Sequence, residues 1–309
     1  MDPHLLRTFV AVAESGSFST AAANLGYTQS AVSQHIAALE NDLGTALLQR
    51  RPVAPTAAGE RLLEHAAPIL LRLDAARADV LRATGEAPGS LILGATPLAA
   101  SPARALTELR RSTPGLDVTL VVAGREAVAR GVAAGELHLG LVDGVAAPSD
   151  PLRLFDTGAQ RTTAIAHEPL MVAFPHDHPL ARRKRLSLHD LVDARWIDAP
   201  EIAAPLDDLR AATETDGLRA SITYSGTDTR TLLALVAAGH GLAVLPASAA
   251  AGVATVAAVA VESPRLVHRT ELLHGHIDGS AAAALAAVLG SVVGGEAQVQ
   301  ATVGRVQPA

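Results

Sequence analysis

The 309-residue sequence predicts an α/β protein in three parts. An all-α amino-terminal unit carries a helix-turn-helix and a small wing, a long linker helix follows, and two α/β lobes complete the chain. Three observations predict this. Residues up to about 45 hold only helical apolar periods, broken by single glycines. From Ala57 to Arg82 one apolar stripe steps by 4, 3, 4, 3, 4. From Ser90 onward, strand-like apolar runs alternate with helical ones, the mark of a sheet with crossover helices.

Leu6, Phe9, Val10 and Ala13 give the first helix. "ESGS" ends it, and Ser17 or Ser19 caps a second helix over Phe18 to Leu25. Gly26 permits the left-handed backbone of a tight turn. Thr28 then caps a third helix, whose predicted buried stripe is Val32, Ile36, Leu39 and Leu43. That stripe turns Gln29, Ser30, Ser33 and Gln34 away from the core. "GTALLQRRPVAPTAAG" reads as a two-stranded wing, after which Thr56 caps the long helix. Its seam is Leu62, Ala66, Ile69, Leu73, Ala76 and Val80, which calls for a partner helix or, alternatively, packs on its own domain. Pro68 is expected to kink that helix or loosen a turn.

"TGEAPGS" (Thr84 to Ser90) is the predicted linker. "SLILGAT", "LDVTLVVA" and "LHLGLVDG" are strands of a parallel sheet, separated by the helices "SPARALTELRRS" and "REAVARGVAAG". A second round runs from "TTAIAHEPLMVAFP" to "HGLAVLP". The strand at Leu266 to Leu273 and the Ala-rich helix after Ser280 are expected to return to the first lobe. The expected domains are therefore 1–58, a linker helix 59–88, and a two-lobed α/β domain 89–293. Within that domain, lobe I takes 89–163 and 265–293 and lobe II takes 164–264, and a loose tail covers 294–309.

Composition removes several function classes. With no Cys, disulfides and thiolate chemistry are excluded. No signal peptide and no spanning apolar run is read, so the expected location is the cytoplasm. The formal net charge is −6, and residues 1–82 carry seven Arg against eight acids. Any nucleic-acid contact must therefore be local and geometric rather than bulk attraction. No GxSxG, HExxH or strand-linked GxGxxG is present, so an enzyme is not expected.

A helix, a glycine turn and a second helix with an outward polar face suit the major groove. Amides and hydroxyls both donate and accept, so Gln29, Gln34, Ser30 and Ser33 can read base edges. Thr28 and the helix amino terminus can hold a phosphate. Arg50 and Arg51 in the wing supply charge to the adjacent backbone.

Residues 5–65 resemble the amino-terminal domain of the LysR-type transcriptional regulators. The matching runs are "LRTFVAVAESGSFSTAA", "LGYTQSAVSQHIAALENDLGTALLQR" and "PTAAGERLL". "GSLILGAT", "TPGLDVTL", "GELHLGLVDG", "HPLARRKRLSLHDL" and "LVAAGHGLAVLP" are similar to the family's effector domain. The resemblance implies a winged helix-turn-helix, a linker helix pairing two subunits, and a two-lobed, periplasmic-binding-protein-like domain with a metabolite cleft. It places DNA contacts at Thr28, Gln29, Ser30, Ser33 and Gln34 and at Arg50 in the wing; Ser17, His35 and Arg51 complete the candidate DNA-binding set. It places effector contacts at Thr96, Pro97, Leu98, Arg125 and Asp143, and further ones at Ala199, Glu201 and Thr227.

The implied partners are double-stranded operator DNA, a small-molecule effector of unknown identity, and a second subunit or a tetramer. RNA polymerase is an optional fourth, and no cofactor or metal is implied. Three features depart from the family pattern. The recognition helix has no basic residue beyond His35, His138 replaces the usual Asp, and Leu48 and Gln49 stand where an aromatic is common. The bland readings pair Arg125 with an acid such as Glu126, make Thr96 and Thr227 caps, and make Asp143 a turn former. His176 and His178 invite a metal reading, but two His and an Asp in a row cannot all face one ion without a loop wrapped around it, and Arg182 to Arg185 read as a solvated loop rather than a nucleic-acid patch. Trp196 is expected in the core. The alternatives to a regulator are a small-molecule binding protein without a DNA role and an architectural DNA-binding protein.

Overall fold

The computed structural model of the chain describes residues 1–83, 90–154, 160–277 and 280–290. Of the predicted linker Thr84 to Ser90, all but Ser90, which opens a strand, lies outside the described residues, as does the tail 294–309. Those described fall into two compact units, one ending at 83 and one starting at 90.

The first unit holds α1 (Pro3–Ser15), α2 (Phe18–Leu25) and α3 (Gln29–Leu43), the wing strands β1 (Leu48–Arg50) and β2 (Val53–Pro55), and α4 (Ala57–Ala83). Leu6, Phe9, Val12, Val32, Ile36 and Leu39 are buried in one cluster, closed by Leu47 and by Ala66 and Leu70 of α4. Each early helix starts on a side-chain cap: Asp2, Ser17 and Thr28 accept from backbone N–H groups that the helix itself leaves unpaired. Gly26 ends α2 at φ 69°, which a side chain would make costly, and so sets the turn into α3.

Two expectations need correction here. Leu43 is not part of the buried stripe: it stays 40% exposed because α3 ends there, beyond the reach of α1. The seam of α4 also divides. Ala66 is fully buried in the unit's own core and Leu62 packs beside it, whereas Ile69, Leu73 and Val80 are exposed. Pro68 lies inside α4, and the helical assignment runs through it without a break.

The second unit continues with β3 (Ser90–Ala95), α5 (Ala103–Ser112), β4 (Asp117–Val122), α6 (Arg125–Ala134) and β5 (Leu139–Ala146). β3 pairs parallel with both β4 and β5, as the alternation predicted. The 15-residue β6 (Arg161–Pro175) is the spine of the unit. Next come β7 (Arg185–Ser187), β8 (Arg195–Asp198), α7 (Leu206–Thr213), β9 (Arg219–Thr223), α8 (Thr229–Ala237), β10 (Ala243–Pro246), α9 (Ala247–Ala250), β11 (Val256–Ser263) and β12 (Val267–His274).

The main sheet runs β4-β3-β5-β12-β6-β11-β7, with β10 also on β6. The first half of β6 pairs with β12, from Arg161 opposite His274 to Pro169 opposite Val267. Its second half pairs with β10 and β11. One strand therefore belongs to both lobes. The second round is not the parallel repeat that the sequence suggested. β10 and β11 run antiparallel to β6, while β11 pairs parallel with the short β7 and β8 parallel with β9. The reason is topological: β6 enters lobe II from lobe I, so strands that fold back on it must run against it.

β12 pairs antiparallel with β5, and Leu285 and Leu289 of the helix over 281–290 join the lobe I core beside Leu93, Leu109 and Leu141. This is the predicted return. Trp196 is fully buried in lobe II with Leu170, Phe174 and Leu218, and its indole N–H donates to the Leu191 carbonyl at 3.3 Å.

Candidate nucleic-acid interface and effector site

The outward face of α3 is built from its amino end. Thr28 Oγ1 accepts from the Ala31 N–H at 3.2 Å and lies 3.0 Å from Ser30 Oγ. The start of α2 repeats the device: Ser17 Oγ accepts from the Thr20 N–H at 3.3 Å and meets Ser19 Oγ at 3.0 Å. Two helix amino termini thus carry paired hydroxyls beside free backbone donors, which suits a phosphate. Gln29, Ser30 and Gln34 are exposed and Ser33 half-buried. Neither glutamine side chain nor that of Ser33 is tied to another group among the described residues, so their donors and acceptors face outward unused.

His35 stands apart from this face. Thr8, fully buried in α1, donates its hydroxyl to the His4 carbonyl at 2.9 Å. Its oxygen is left to accept, so His35 Nδ1, 3.0 Å away, carries the hydrogen. Tyr27 meets the imidazole edge-on at 5.2 Å. His35 therefore fastens the recognition helix to α1 rather than extending from it.

The wing is positioned by a residue that sequence reasoning missed. Glu40 Oε1 accepts from the Leu47 N–H at 2.8 Å and the Leu48 N–H at 3.2 Å. Its Oε2 lies 3.6 Å from Arg50, whose guanidinium sits 5.1 Å above the Phe18 ring. An acid near a helix carboxyl end opposes the helix dipole, and that mismatch was the available signal. Arg51 is exposed at the wing tip.

In the second unit several of the candidate effector residues are occupied with one another. The Thr96 hydroxyl donates to the Leu141 carbonyl at 3.3 Å and accepts from the Asp143 N–H at 3.0 Å. Asp143 Oδ2 is 2.8 Å from His268 Nε2 on β12. On the far side, His268 Nδ1 lies 3.8 Å from Glu168 of β6. Glu168 in turn accepts from the Ser248 N–H at 2.7 Å and its hydroxyl at 2.8 Å. A polar chain, buried at Thr96, Asp143 and His268 and reaching the surface at Ser248, thus runs from lobe I through the shared strands to lobe II. His268 and Glu168 were not foreseen, because nothing local marks a histidine whose partner is 125 residues away.

Arg125 opens α6 and lays its guanidinium over Gly144. Its Nε is buried without a hydrogen-bond partner among the described residues. The α7 carboxylate of Asp208 faces it across the lobes. Burial pushes that carboxyl up from its ordinary value, Arg125 pulls it down, Asp207 raises it, and Arg153 lowers it. Glu201 brings its carboxylate against Gly124, so close that a Cβ there would meet Oε2 at 2.2 Å. The Ala199 carbonyl accepts from the Ile202 and Ala203 N–H groups, and Thr227 is exposed. Leu98 is buried and Pro97 half-buried.

The remaining candidates have ordinary surroundings. His138 Nδ1 accepts from the Ile92 N–H at 2.8 Å, a bond within lobe I. His178 stacks on Phe174 at 4.7 Å and accepts from the Leu180 N–H. Among the described residues no three metal-ligating side chains converge. Arg183 and Arg185 pair with Asp190 and Glu262 on the surface. No described helix is long and apolar enough to cross a membrane.

Comparison with known proteins matches both units. Residues 3–60 fit the family model of the bacterial regulatory helix-turn-helix proteins of the lysR family, and residues 84–290 fit the LysR substrate binding domain. The HTH-type transcriptional regulator YnfL of Escherichia coli K12 is 37% identical over 253 residues, covering 79% of this chain and 81% of its own. BudR of Raoultella terrigena, also an HTH-type transcriptional regulator, is 32% identical over 259 residues, 80% of this chain and 85% of its own. The crystal structure of full-length BenM is similar along 100% of this chain and 99% of its own, with a TM-score of 0.54 at 25% identity. Full-length CbnR bound to its target DNA gives 0.51 at 25% identity, over 94% of this chain and 99% of its own. The chain belongs to the LysR family of transcriptional regulators, with a helix-turn-helix DNA-binding domain and an effector-binding domain.

Proposed function

We propose that the chain reads an operator through Gln29, Ser30, Ser33 and Gln34, with Ser17, Thr28, Arg50 and Arg51 holding the flanking phosphates. The observation that carries this is the uncommitted outward face of α3, whose glutamines have no side-chain partner among the described residues. His35 acts from behind, as a brace. The absence of Lys and Arg from α3 makes the charge contribution of one subunit small. Two subunits are therefore needed on adjacent half-sites, about one helical turn apart or a multiple of it.

The exposed Ile69, Leu73 and Val80 of α4 support pairing with a second copy, beside a groove lined by His4, Arg7, Ala76 and Arg77. The effector is taken between the lobes, where Arg125 supplies an unpaired donor and positive charge for an anionic or polar group. Effector binding alters the angle between lobes, and it shifts the DNA-bound state only by its difference in affinity for the two arrangements.

The test is selection from a random duplex pool at moderate salt, followed by titration of the enriched sequence. Enrichment of a two-fold symmetric site, and loss of that preference in Gln29→Ala with random-DNA binding unchanged, is expected. A pool that returns no preferred sequence overturns the reading.

A further inference from the structure

Consecutive residues of the loop after β3 pack into opposite lobes. Ala99 lies against the lobe I core, with Leu91, Leu93 and Leu141. Leu98 instead joins a core cluster whose other members all come from lobe II, among them Ala173, Ile197, Ala199 and Ile202. Only 9% of Leu98 remains exposed.

The loop is fixed to lobe I on both sides of Leu98. Before it, Thr96 is bonded through its N–H and hydroxyl to Leu141, and receives the Asp143 N–H. After it, the Ala99 N–H closes a turn onto the Thr96 carbonyl and the Ala100 N–H donates to Thr270 Oγ1 at 3.0 Å. Leu98 is therefore held out toward lobe II by a rigid mount. The receiving turn is equally fixed: the Ile202 and Ala203 N–H groups bond the Ala199 carbonyl, and the Ala204 N–H bonds Val244 of β10. The same turn carries Glu201, whose carboxylate rests on Gly124 at the start of α6. Lobe I thus touches one short turn of lobe II at an apolar point and a charged one. Both points lie where the effector is expected.

We infer that Leu98 is an internal ligand: with no effector bound, it plugs lobe II and holds the lobes closed, so an effector must displace it to enter. This rests on the reading that the effector binds between the lobes. It follows from packing, because an apolar side chain withdrawn from a buried cluster exposes its own surface and leaves a void behind. The Glu201 contact adds little to the closing force, since a flexible exposed side chain gives way easily, but it marks the same closed geometry.

Because the chain has no Cys, two introduced cysteines are its only labelling sites. Spin labels at Arg130→Cys on α6 and Arg183→Cys in lobe II stand on exposed positions. Full-length labelled chain is mixed with excess unlabelled chain, so that only distances within one chain register, and pulsed dipolar spectroscopy reads the separation without any effector. A single narrow distance is expected for the otherwise native chain. Leu98→Ala should add a second, longer population, raising the open-to-closed ratio about ten- to a hundredfold, and Leu98→Met should restore the narrow trace. A broad trace in the native chain overturns the inference whether or not the variant folds, and so does an unchanged trace in a folded Leu98→Ala. Opening by Leu98→Ala in a protein without sequence-specific DNA binding would keep the plug and overturn the regulator reading. Specific DNA binding with an unchanged trace would overturn the plug alone.

Discussion

The recognition helix and the interlobe site are both lined with hydroxyls, amides and carboxylates, and they treat them in opposite ways. On α3, Gln29, Ser33 and Gln34 leave their polar groups without partners in the described chain. At the interlobe site, Thr96 is bonded to Leu141 and Asp143, and Asp143 to His268, all of them buried. The difference is one of burial. Polar groups on an exposed helix face keep water as a partner until DNA replaces it, so nothing is lost while they wait. Groups between lobes are drawn away from water and must find partners inside the chain. A surface site can be ready-made, whereas a closed cleft has to be rebuilt by its ligand.

The sharpest way to break this contrast is to remove one member of the buried chain. His268→Leu leaves the Asp143 carboxylate buried without its partner, a change that costs about 3–5 kcal/mol where a buried pair is broken. Urea unfolding of the effector domain, followed by the fluorescence of Trp196, should show a loss of that size. A loss below about 1 kcal/mol would mean that water reaches Asp143 and that the network is not closed.

Thr96→Val comes next. It keeps the shape but strands the Asp143 N–H and one acceptor site on Leu141, for a loss of about 1–3 kcal/mol. If stability is untouched and only effector response falls, Thr96 contacts ligand directly and its internal bonds are secondary.

How much of this was readable beforehand follows the same division. The first unit is organised by neighbours in sequence: caps at Ser17 and Thr28, the Gly26 turn and the Val32, Ile36, Leu39 stripe each rest on spacings within one helix. Leu43 failed because periodicity does not say where the neighbouring helix ends. The seam of α4 failed by half for the same reason: its spacing is uniform from Leu62 to Val80, but only Leu62 and Ala66 lie over the three-helix core. In the second unit β3 to β6, α5, α6, α8 and β12 were legible, β7, β8, α7, α9 and β11 were not read, and the direction of β10 was not, since it depends on β6 crossing between lobes. Leu98 was expected only as an effector contact, and nothing near it in sequence marks its packing into lobe II, since its partners lie between residues 173 and 256. The elements of the helix-turn-helix were legible from local spacing, and the contacts between the lobes were not.

On the recognition helix the contrast predicts the reverse pattern of effects. Gln34→Ala should leave stability within about 0.5 kcal/mol, as for other exposed positions without structural contacts. It should still reduce affinity for the selected operator by about 1–3 kcal/mol. Thermal unfolding and DNA titration on one preparation separate the two. A stability loss equal to the affinity loss would place Gln34 in the folding of the unit rather than in reading DNA.

The smallest effect concerns Asp208, which stands between the two regimes: its side chain reaches solvent, yet its carboxyl is crowded and its affinity for a proton is raised. Burial outweighs the pull of Arg125 and Arg153, so the folded chain holds this proton more tightly than the unfolded one. Stability contributed by the protonated form is therefore full below the ordinary value of 3.8 and is lost as pH rises through the raised one. Asp208→Asn removes that dependence and should make the effector domain slightly more stable than the native chain at neutral pH, with the two converging in acid. If the variant is instead less stable at neutral pH, then attraction to Arg125 and Arg153 outweighs the cost of burial. The carboxylates of lobe II would then hold the lobes together by charge as well as by the packing of Leu98.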